Sequence, residues 1–439
     1  MKIKRMLGLL LAFSMLFTMT ACASKEADTT SNTGSEEVTA TAAPQPTATP
    51  APTEAVLQPV TIEFWHAMSG GTQDALVALT DKFNAENGKG ITVNLVNQGA
   101  YGDLSKKLMG SVAAKTLPDL AQVYNSWIAN YLDAVIPLDD YVASDFDNYD
   151  DISEAYRNEG GEFGKIYTLP FNKSTQLYFY NKTVFDQLGL EPPKTWDDLY
   201  HIGEVVYQET GKPSIGYDDL TAMFWQLVLQ NGSGFIENGK VEFNNPQGVE
   251  ALNFFLDMYN KGYARIAGED KYHSGPFGNG DVMAYVGSSA GVAFIQPNGF
   301  ELGVAPLPGK TVKAVPQAGT NLAMFSADTG KQLAVWEYMK YLTSAEATTE
   351  WAIATGYLPV RTSAFNSDTF QTYRNGSPAA QASYAQTADM YYEPAYKGSD
   401  EIRTIIGTEV EAAILNGDKA EDAVNTIAAK VEEVLNKNK

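Results

Sequence analysis

Residues Ile166–Lys182 read IYTLPFNKSTQLYFYNK. An apolar run breaks at Leu169-Pro170-Phe171-Asn172-Lys173-Ser174-Thr175 and resumes as Gln176-Leu177-Tyr178-Phe179-Tyr180. Proline fixes its own φ and biases the preceding residue towards extended backbone. The stretch is therefore expected to be two strands meeting at a polar joint, a crossing between two structural units with a ligand beside it.

Upstream, Val60-Thr61-Ile62-Glu63-Phe64 is followed by a helical pattern with Leu76, Leu79 and Phe83 on one face, a stop at Gly88, and the strand Ile91–Val96. A strand, helix, strand order implies a parallel sheet, whose ligands lie beyond the carboxyl ends of its strands. Those ends carry Trp65, His66 and Met68, then Gly99-Ala100-Tyr101, then Gln122-Val123-Tyr124-Asn125 after a third strand near Leu120. Downstream, Thr195 is expected to cap a helix closed by Gly211, and a second helix is expected over about 246–260. Val282–Ser289 reads as a buried strand ending in hydroxyl residues. Helices follow over about 331–342, up to Ala354, 401–415 and 420–435, with a break at Thr355-Gly356-Tyr357-Leu358-Pro359.

The chain begins with Lys2, Lys4 and Arg5 before an apolar run from Met6 to Phe17 and the sequence Met19-Thr20-Ala21-Cys22. This is the pattern of a secretory signal, too short for a span of ~20 residues. Cys22 is the single cysteine, so a disulfide within the chain and a cysteine metal cluster are excluded. Residues 1–22 are read as a lipoprotein signal segment, with the processing site between the small Ala21 and Cys22; the expected use of Cys22 is lipid attachment after cleavage, which resembles the lipobox of bacterial lipoproteins and would hold the domain at the outer face of a cell membrane. Residues 23–58, rich in Ser, Thr, Ala, Glu and Pro, read as an extended, disordered tether.

The remaining residues, from 59 onward, are long enough for two domains. A net charge of −22 disfavours nucleic acid, whose phosphates require an excess of basic surface. No HExxH, GxSxG or phosphate loop is present, and the three histidines, His66, His201 and His273, are scattered, so no catalytic residue, metal or cofactor is expected. Only His66 stands at a strand end, to touch ligand or to pack beside Trp65. Two acidic residues could still meet as a glycosidase pair, which spacing alone does not show.

The runs TIEFWHAMSG, DKFNAENG, LPFNKST, LYFYNK, LEPPKTWDDL, EFNNPQ, TGYLPV and DEIRTIIGTEVEAAILNG occur in this order. Together they resemble the extracellular solute-binding proteins (family 1) of ABC sugar importers, and among them the glycerol-3-phosphate-binding members. The resemblance covers the whole globular part. It implies an α/β, two-lobed periplasmic-binding-protein fold, type II-like, whose hinged lobes are joined by three crossings. The crossings would fall near Asn172, Gln317 and Gly356, giving one lobe of 59–172 plus 320–355 and another of 173–317 plus 357–439.

Carried onto this chain, the resemblance implies a ligand site of Tyr101, Ser174, Ser288 or Ser289, Gly319, Tyr357 and Arg403, with Arg403 as a phosphate clamp. The glutamate of those members falls on Asn125, which cannot act as an anion. Their paired tryptophans have no counterpart in Tyr217–Trp225, where Asp218 and Asp219 stand instead. These departures point to a larger or more hydroxylated solute. Trp65, His66, Asp218 and Asp219 are further candidates. Against each role stands an ordinary one: Arg403 pairing with Glu401 or Asp400, Tyr101 and Tyr357 as packing, Ser174 capping backbone, Asp218 and Asp219 in an exposed loop. Lys173 adds charge for a phosphate or reaches solvent. The implied protein is a monomeric, non-enzymatic binder that delivers glycerol 3-phosphate, a related phosphorylated or polyhydroxylated solute, or alternatively a neutral oligosaccharide, to a permease. A secreted glycan hydrolase and a surface adhesin are the rivals.

Overall fold

The computed structural model describes residues 59–438. The expected signal peptide, the tether and Cys22 lie outside the described residues.

The strands, in chain order, are β1 (Val60–His66), β2 (Ile91–Asn97), β3 (Leu120–Val123), β4 (Leu169–Asn181), β5 (Ile215–Tyr217), β6 (Ile236–Glu237), β7 (Lys240–Val241), β8 (Ala264–Ile266), β9 (Ala284–Ser288), β10 (Leu302–Ala305), β11 (Val315–Met324) and β12 (Met390–Tyr391). All but the β6–β7 hairpin belong to one mixed sheet, ordered β2-β1-β3-β11-β4-β9-β5-β8, with β10 on β4 and β12 on β11. β1 is parallel to β2 and β3, as the strand, helix, strand reading requires. The helix Gly70–Glu86 crosses between β1 and β2 and buries Leu76, Leu79 and Phe83, the expected face.

The local chemistry of the second half is equally direct. Thr195 accepts from the Asp198 amide and closes a capping box on the helix Trp196–Thr210, and Gly211, at φ +68°, ends it in a conformation that glycine reaches without strain. Pro246 occupies the first turn of Pro246–Asn260, where its missing N–H costs no hydrogen bond.

The opening stretch differs from its expected form. β4 is one unbroken strand of 13 residues, not two strands at a joint. β4 absorbs the irregularity itself: β11 is antiparallel to β4, and the register shifts between Thr320, opposite Asn172, and Asn321, opposite Pro170, which leaves Phe171 as the extra, unmatched residue of β4. A bulge leaves the ladder locally unpaired, which is where a strand tolerates proline.

Two main cores flank this ribbon. One gathers Ile62, Phe64, Leu76, Leu169, Leu322, Trp336 and Trp351, and the other Tyr178, Leu199, Phe224, Phe255, Val286, Ile406 and Val431. The chain passes between them through β4, through β11, and at Gly356–Leu358, where the Leu358 amide donates to the Lys173 carbonyl at 2.7 Å. These are three crossings between two lobes. Among the described residues no helix is long and apolar enough to cross a membrane.

Candidate functional site

The centre of the crossing is Asn172, fully buried on β4. Its Nδ2 donates to the Tyr101 hydroxyl at 3.0 Å, and its Oδ1 accepts from Gln122 Nε2 at 3.0 Å and from the Thr320 hydroxyl. Asn172 and Tyr101 also hydrogen-bond the Tyr357 hydroxyl. Tyr101 begins the helix Tyr101–Ala114 beyond β2, and Tyr357 follows the helix Ala345–Thr355 after Gly356. Burial, then the neighbouring Tyr357 and Tyr124, hold the Tyr101 phenol neutral, far above its ordinary pKa. Tyr357 lies flat on Trp351, 5.7 Å between centroids at 12°, and Tyr101 meets Tyr124 edge-on at 5.1 Å. Both tyrosines thus pack and present hydroxyls to the same point.

The serines and the glycine line the same ribbon. Ser174 is buried on β4 opposite Ala318, and Gly319 lies opposite Lys173. Gly319 has φ +97°, and a Cβ there would stand 1.9 Å from the Asn172 carbonyl oxygen, so only glycine fits. Ser289 accepts from the Thr175 amide at 3.4 Å, and Ser288, at the end of β9, accepts from the Ala290 amide at 3.3 Å.

Arg403 enters from the other lobe, on the helix Ser399–Asn416. Its Nη2 donates to Asp219 Oδ2 at 2.6 Å and its Nη1 to Glu393. The ordinary alternative, pairing with Glu401 or Asp400, is not the arrangement found. Burial alone would lower the guanidinium pKa, but Glu393 and Asp219 outweigh it and hold the cation firmly charged. Asp219 also caps the helix Leu220–Gln230 through the Ala222 amide, so it is not part of a loose loop. Asp218 is engaged elsewhere, accepting from the His273 amide at 2.7 Å and facing its Nδ1 at 3.1 Å.

Tyr124 links the lobes: burial first, then Tyr357, drives its phenol pKa up, and the charges of Arg403 and Asp219 act on the same hydroxyl. Asn125, the next residue, donates to Glu162 Oε2 at 2.9 Å, while its buried Oδ1 has no protein partner. Glu162 also accepts from the Ala395 amide at 2.9 Å, and burial raises its pKa to about 7. Trp65 donates to Glu63. His66 is buried, accepts from the Met68 amide at 3.2 Å, and is held neutral by burial with a pKa of about 4.

Lys173 neither reaches solvent nor stands free for a phosphate. It is fully buried, with Nζ 2.5 Å from Glu159 Oε2 and 3.1 Å from Asn321 Oδ1. Glu159 accepts from Gln317 Nε2 at 2.9 Å as well, which ties β11 to the same pair. Asn172, Glu159, Glu162 and Glu393 were not singled out as site residues by sequence. Tyr124 was visible at its strand end, whereas the glutamates acquire meaning only from their partners. Among the described residues no group of three or more metal-ligating side chains occurs. A cavity of about 410 Å³ near Phe146, Asp151 and Lys340 lies apart from this site, and its Arg361 is engaged by the carbonyls of Thr343 and Asp147 at 2.6 and 3.0 Å.

Residues 78–379 match the family described as bacterial extracellular solute-binding protein. The chain is similar to the sn-glycerol-3-phosphate-binding periplasmic protein UgpB of Yersinia enterocolitica serotype O:8, 26% identical over 410 residues, covering 86% of this chain and 92% of the relative. UgpB of Yersinia pseudotuberculosis is 28% identical over 408 residues, covering 85% and 92%. Among solved structures, the cyclic alpha-maltosyl-1,6-maltose binding protein from Arthrobacter globiformis superposes with a TM-score of 0.76 at 26% identity, over 87% of this chain and all of the other. UgpB from Mycobacterium tuberculosis in complex with glycerophosphocholine superposes at 0.77 with 22% identity, over 86% and 99%. The two-lobed α/β fold and the match over most of the chain assign this protein to the bacterial extracellular solute-binding family.

Proposed function

We propose that this chain is the solute-capturing component of an ABC importer, held outside the cell membrane by lipid on Cys22, and that its solute is a neutral, polyhydroxylated molecule of the oligosaccharide class. On this reading 59–172 with 320–355 forms one jaw and 173–317 with 357–439 the other. The solute is held by Tyr101, Tyr357, Ser174, Ser288 or Ser289, the backbone at Gly319, Asn125, and the Asp219–Arg403–Glu393 cluster. The protein acts as a monomer and carries out no covalent step.

The observation that carries the solute class is the pairing of Arg403 with Asp219 and Glu393. A phosphate dianion approaching this arginine meets two carboxylates already on it, at distances where like charges repel by several kcal/mol in a partly desolvated site. Sugar hydroxyls suit the same cluster, because each can donate to a carboxylate and accept from the guanidinium without displacing either. Asp219 is the residue that supplies one arm, and it lies in the stretch where the phosphate-binding relatives are expected to carry tryptophan. Closure is driven by contacts that exist only when both lobes meet the solute.

A second reading, capture of a phosphate ester such as glycerol 3-phosphate, is favoured by similarity to the UgpB relatives. Calorimetry separates the two. Neutral gluco-oligosaccharides are expected to bind, and glycerol 3-phosphate and glycerophosphocholine to give no heat at matched concentrations. Tight binding of either phosphate compound, with no response to sugars, would reverse the assignment. Release of product from any glycan would replace capture with hydrolysis. Retention of a Cys22→Ser chain in the membrane fraction would remove the anchor.

A further inference from the structure

Away from the three crossings, the two lobes also touch directly. On one side the short helix Asn125–Ile128 sets Trp127 in a core with Leu104, Val123 and Phe325. On the other, the helix Ser399–Asn416 sets Ile402 and Ile406 in the core of Tyr178 and Phe224. Where the two helices meet, Trp127 donates to the Asp400 carboxylate. A second contact lies beside it. Glu162, next to Phe163 of the first side, accepts from Asn125 at 2.9 Å through Oε2 and from the Ala395 amide at 2.9 Å through Oε1. Ala395 belongs to the second side, where the neighbouring Tyr396 hydroxyl donates to the Ile236 carbonyl at 2.8 Å. Each contact therefore sets a carboxyl group of one lobe against a donor of the other.

The charges around these two groups are few. Glu162 has Glu159 on its own side, itself paired with Lys173, and faces the phenols of Tyr392 and Tyr396, with Glu237 beyond Tyr396. Asp400 has Arg403 on its own helix and faces Trp127 and the Tyr131 phenol. Burial penalises the charged form of a carboxyl group. Opening the hinge would draw the facing segments apart and return both groups to water, so the penalty belongs to the joined arrangement. There, burial and then the like charge of Glu159 push Glu162 up to about 7 against its hydrogen bonds, and burial raises Asp400 against Trp127 and Arg403.

We propose that Glu162 and Asp400 form a proton-operated latch across the cleft: closing the jaws takes protons up on these carboxyl groups, so solute is gripped more tightly as the medium becomes acidic. The inference rests on the two-jaw capture reading and adds regulation to it. A group that holds its proton more firmly when the jaws are closed makes closure more favourable as pH falls. For Glu162 the effect grows from about 7 down to its ordinary value of 4.5.

The test follows the jaws directly. In the Cys22→Ser chain, which has no other cysteine, Lys106→Cys and Lys240→Cys place a donor and an acceptor dye on exposed positions of the two lobes. Single-molecule energy transfer at pH 8 and pH 5 then counts closed and open molecules, without sugar and at half-saturating maltotetraose. The closed-to-open ratio should rise at least about tenfold at the lower pH. With Glu162→Gln and Asp400→Asn together, neutral at every pH, the ratio should be flat and stay at its acid-side level. Each single variant should keep part of the response, and matching melting temperatures verify the fold. Calorimetry with maltotetraose in buffers of different ionisation enthalpy should show proton uptake on binding that the double variant lacks. A flat ratio in the unaltered pair of lobes, or the same pH response in the double variant, overturns the latch. If maltotetraose fails to bind while the unliganded ratio still follows pH, the latch stands and the neutral-sugar reading fails.

Discussion

Lys173 Nζ and Glu159 Oε2 stand 2.5 Å apart in the interior, at the point where β4 leaves one lobe for the other. Asn321 and Tyr156 complete the surroundings of the ammonium, the ring centroid lying 5.4 Å away. Removing one partner leaves an uncompensated buried charge, which typically costs ~3–5 kcal/mol, whereas removing both can be nearly neutral. Lys173→Met should thus lower the urea midpoint sharply, and the double variant with Glu159→Leu should recover much of the loss. Equal, additive losses in denaturant titrations would contradict the pairing.

The arginine cluster gives a change of specificity. Asp219→Asn and Glu393→Gln together would release Arg403 from its two anionic partners. The double variant should gain affinity for glycerol 3-phosphate by roughly tenfold per carboxylate removed and lose affinity for neutral sugars. Calorimetry with both ligand classes checks the crossover.

Gly319 has little freedom to change. Its φ of +97° and the 1.9 Å approach of an added Cβ to the Asn172 carbonyl mean that Gly319→Ala must push β11 off β4. A loss of more than ~3 kcal/mol is expected from strain plus displaced hydrogen bonds, read as a lower thermal midpoint. A variant of unchanged stability would show that the ribbon tolerates spreading.

Two buried groups set opposing pH dependences. Glu162 is shifted up, from 4.5 to about 7, so the folded protein holds a proton that the unfolded chain releases, and stability from this group falls as pH rises from 4.5 to 7. His66 is shifted down, from 6.5 to about 4, so its contribution is complete above pH 6.5 and is lost as pH falls towards 4. Glu162→Gln should therefore gain stability relative to the unaltered protein between pH 4.5 and 7. The deficit of His66→Gln should shrink between pH 6.5 and 4. Parallel melting-temperature profiles across that range would contradict both assignments.

Much of the fold was legible because it rests on local chemistry. The Leu76, Leu79, Phe83 spacing, the Thr195 cap and the Gly211 stop are each decided within a few residues. The continuous β4 was not legible because the bulge at Phe171 that accommodates Pro170 exists only against Thr320 and Asn321 of β11, a partner some 150 residues away. The candidate site divides in the same way. Tyr101, Tyr357 and Arg403 were named from motifs, and the structure brings the two tyrosines to one asparagine. That Arg403 comes already neutralised could not be read from the chain, because Glu393 has no local signature and Asp219 resembles an ordinary loop acid. Lys173 shows the limit most plainly: no sequence rule predicts a lysine with no solvent exposure.

The place of β11 has a consequence for how the protein comes into being. Leu120–Val123 finds its antiparallel neighbour only at Asn321–Met324, so the sheet of the amino-terminal lobe cannot be completed until about three quarters of the chain is available. Contacts this distant in sequence form slowly. A nascent chain that must wait for its own distal segment keeps this sheet unfinished until late, which is compatible with the export proposed above.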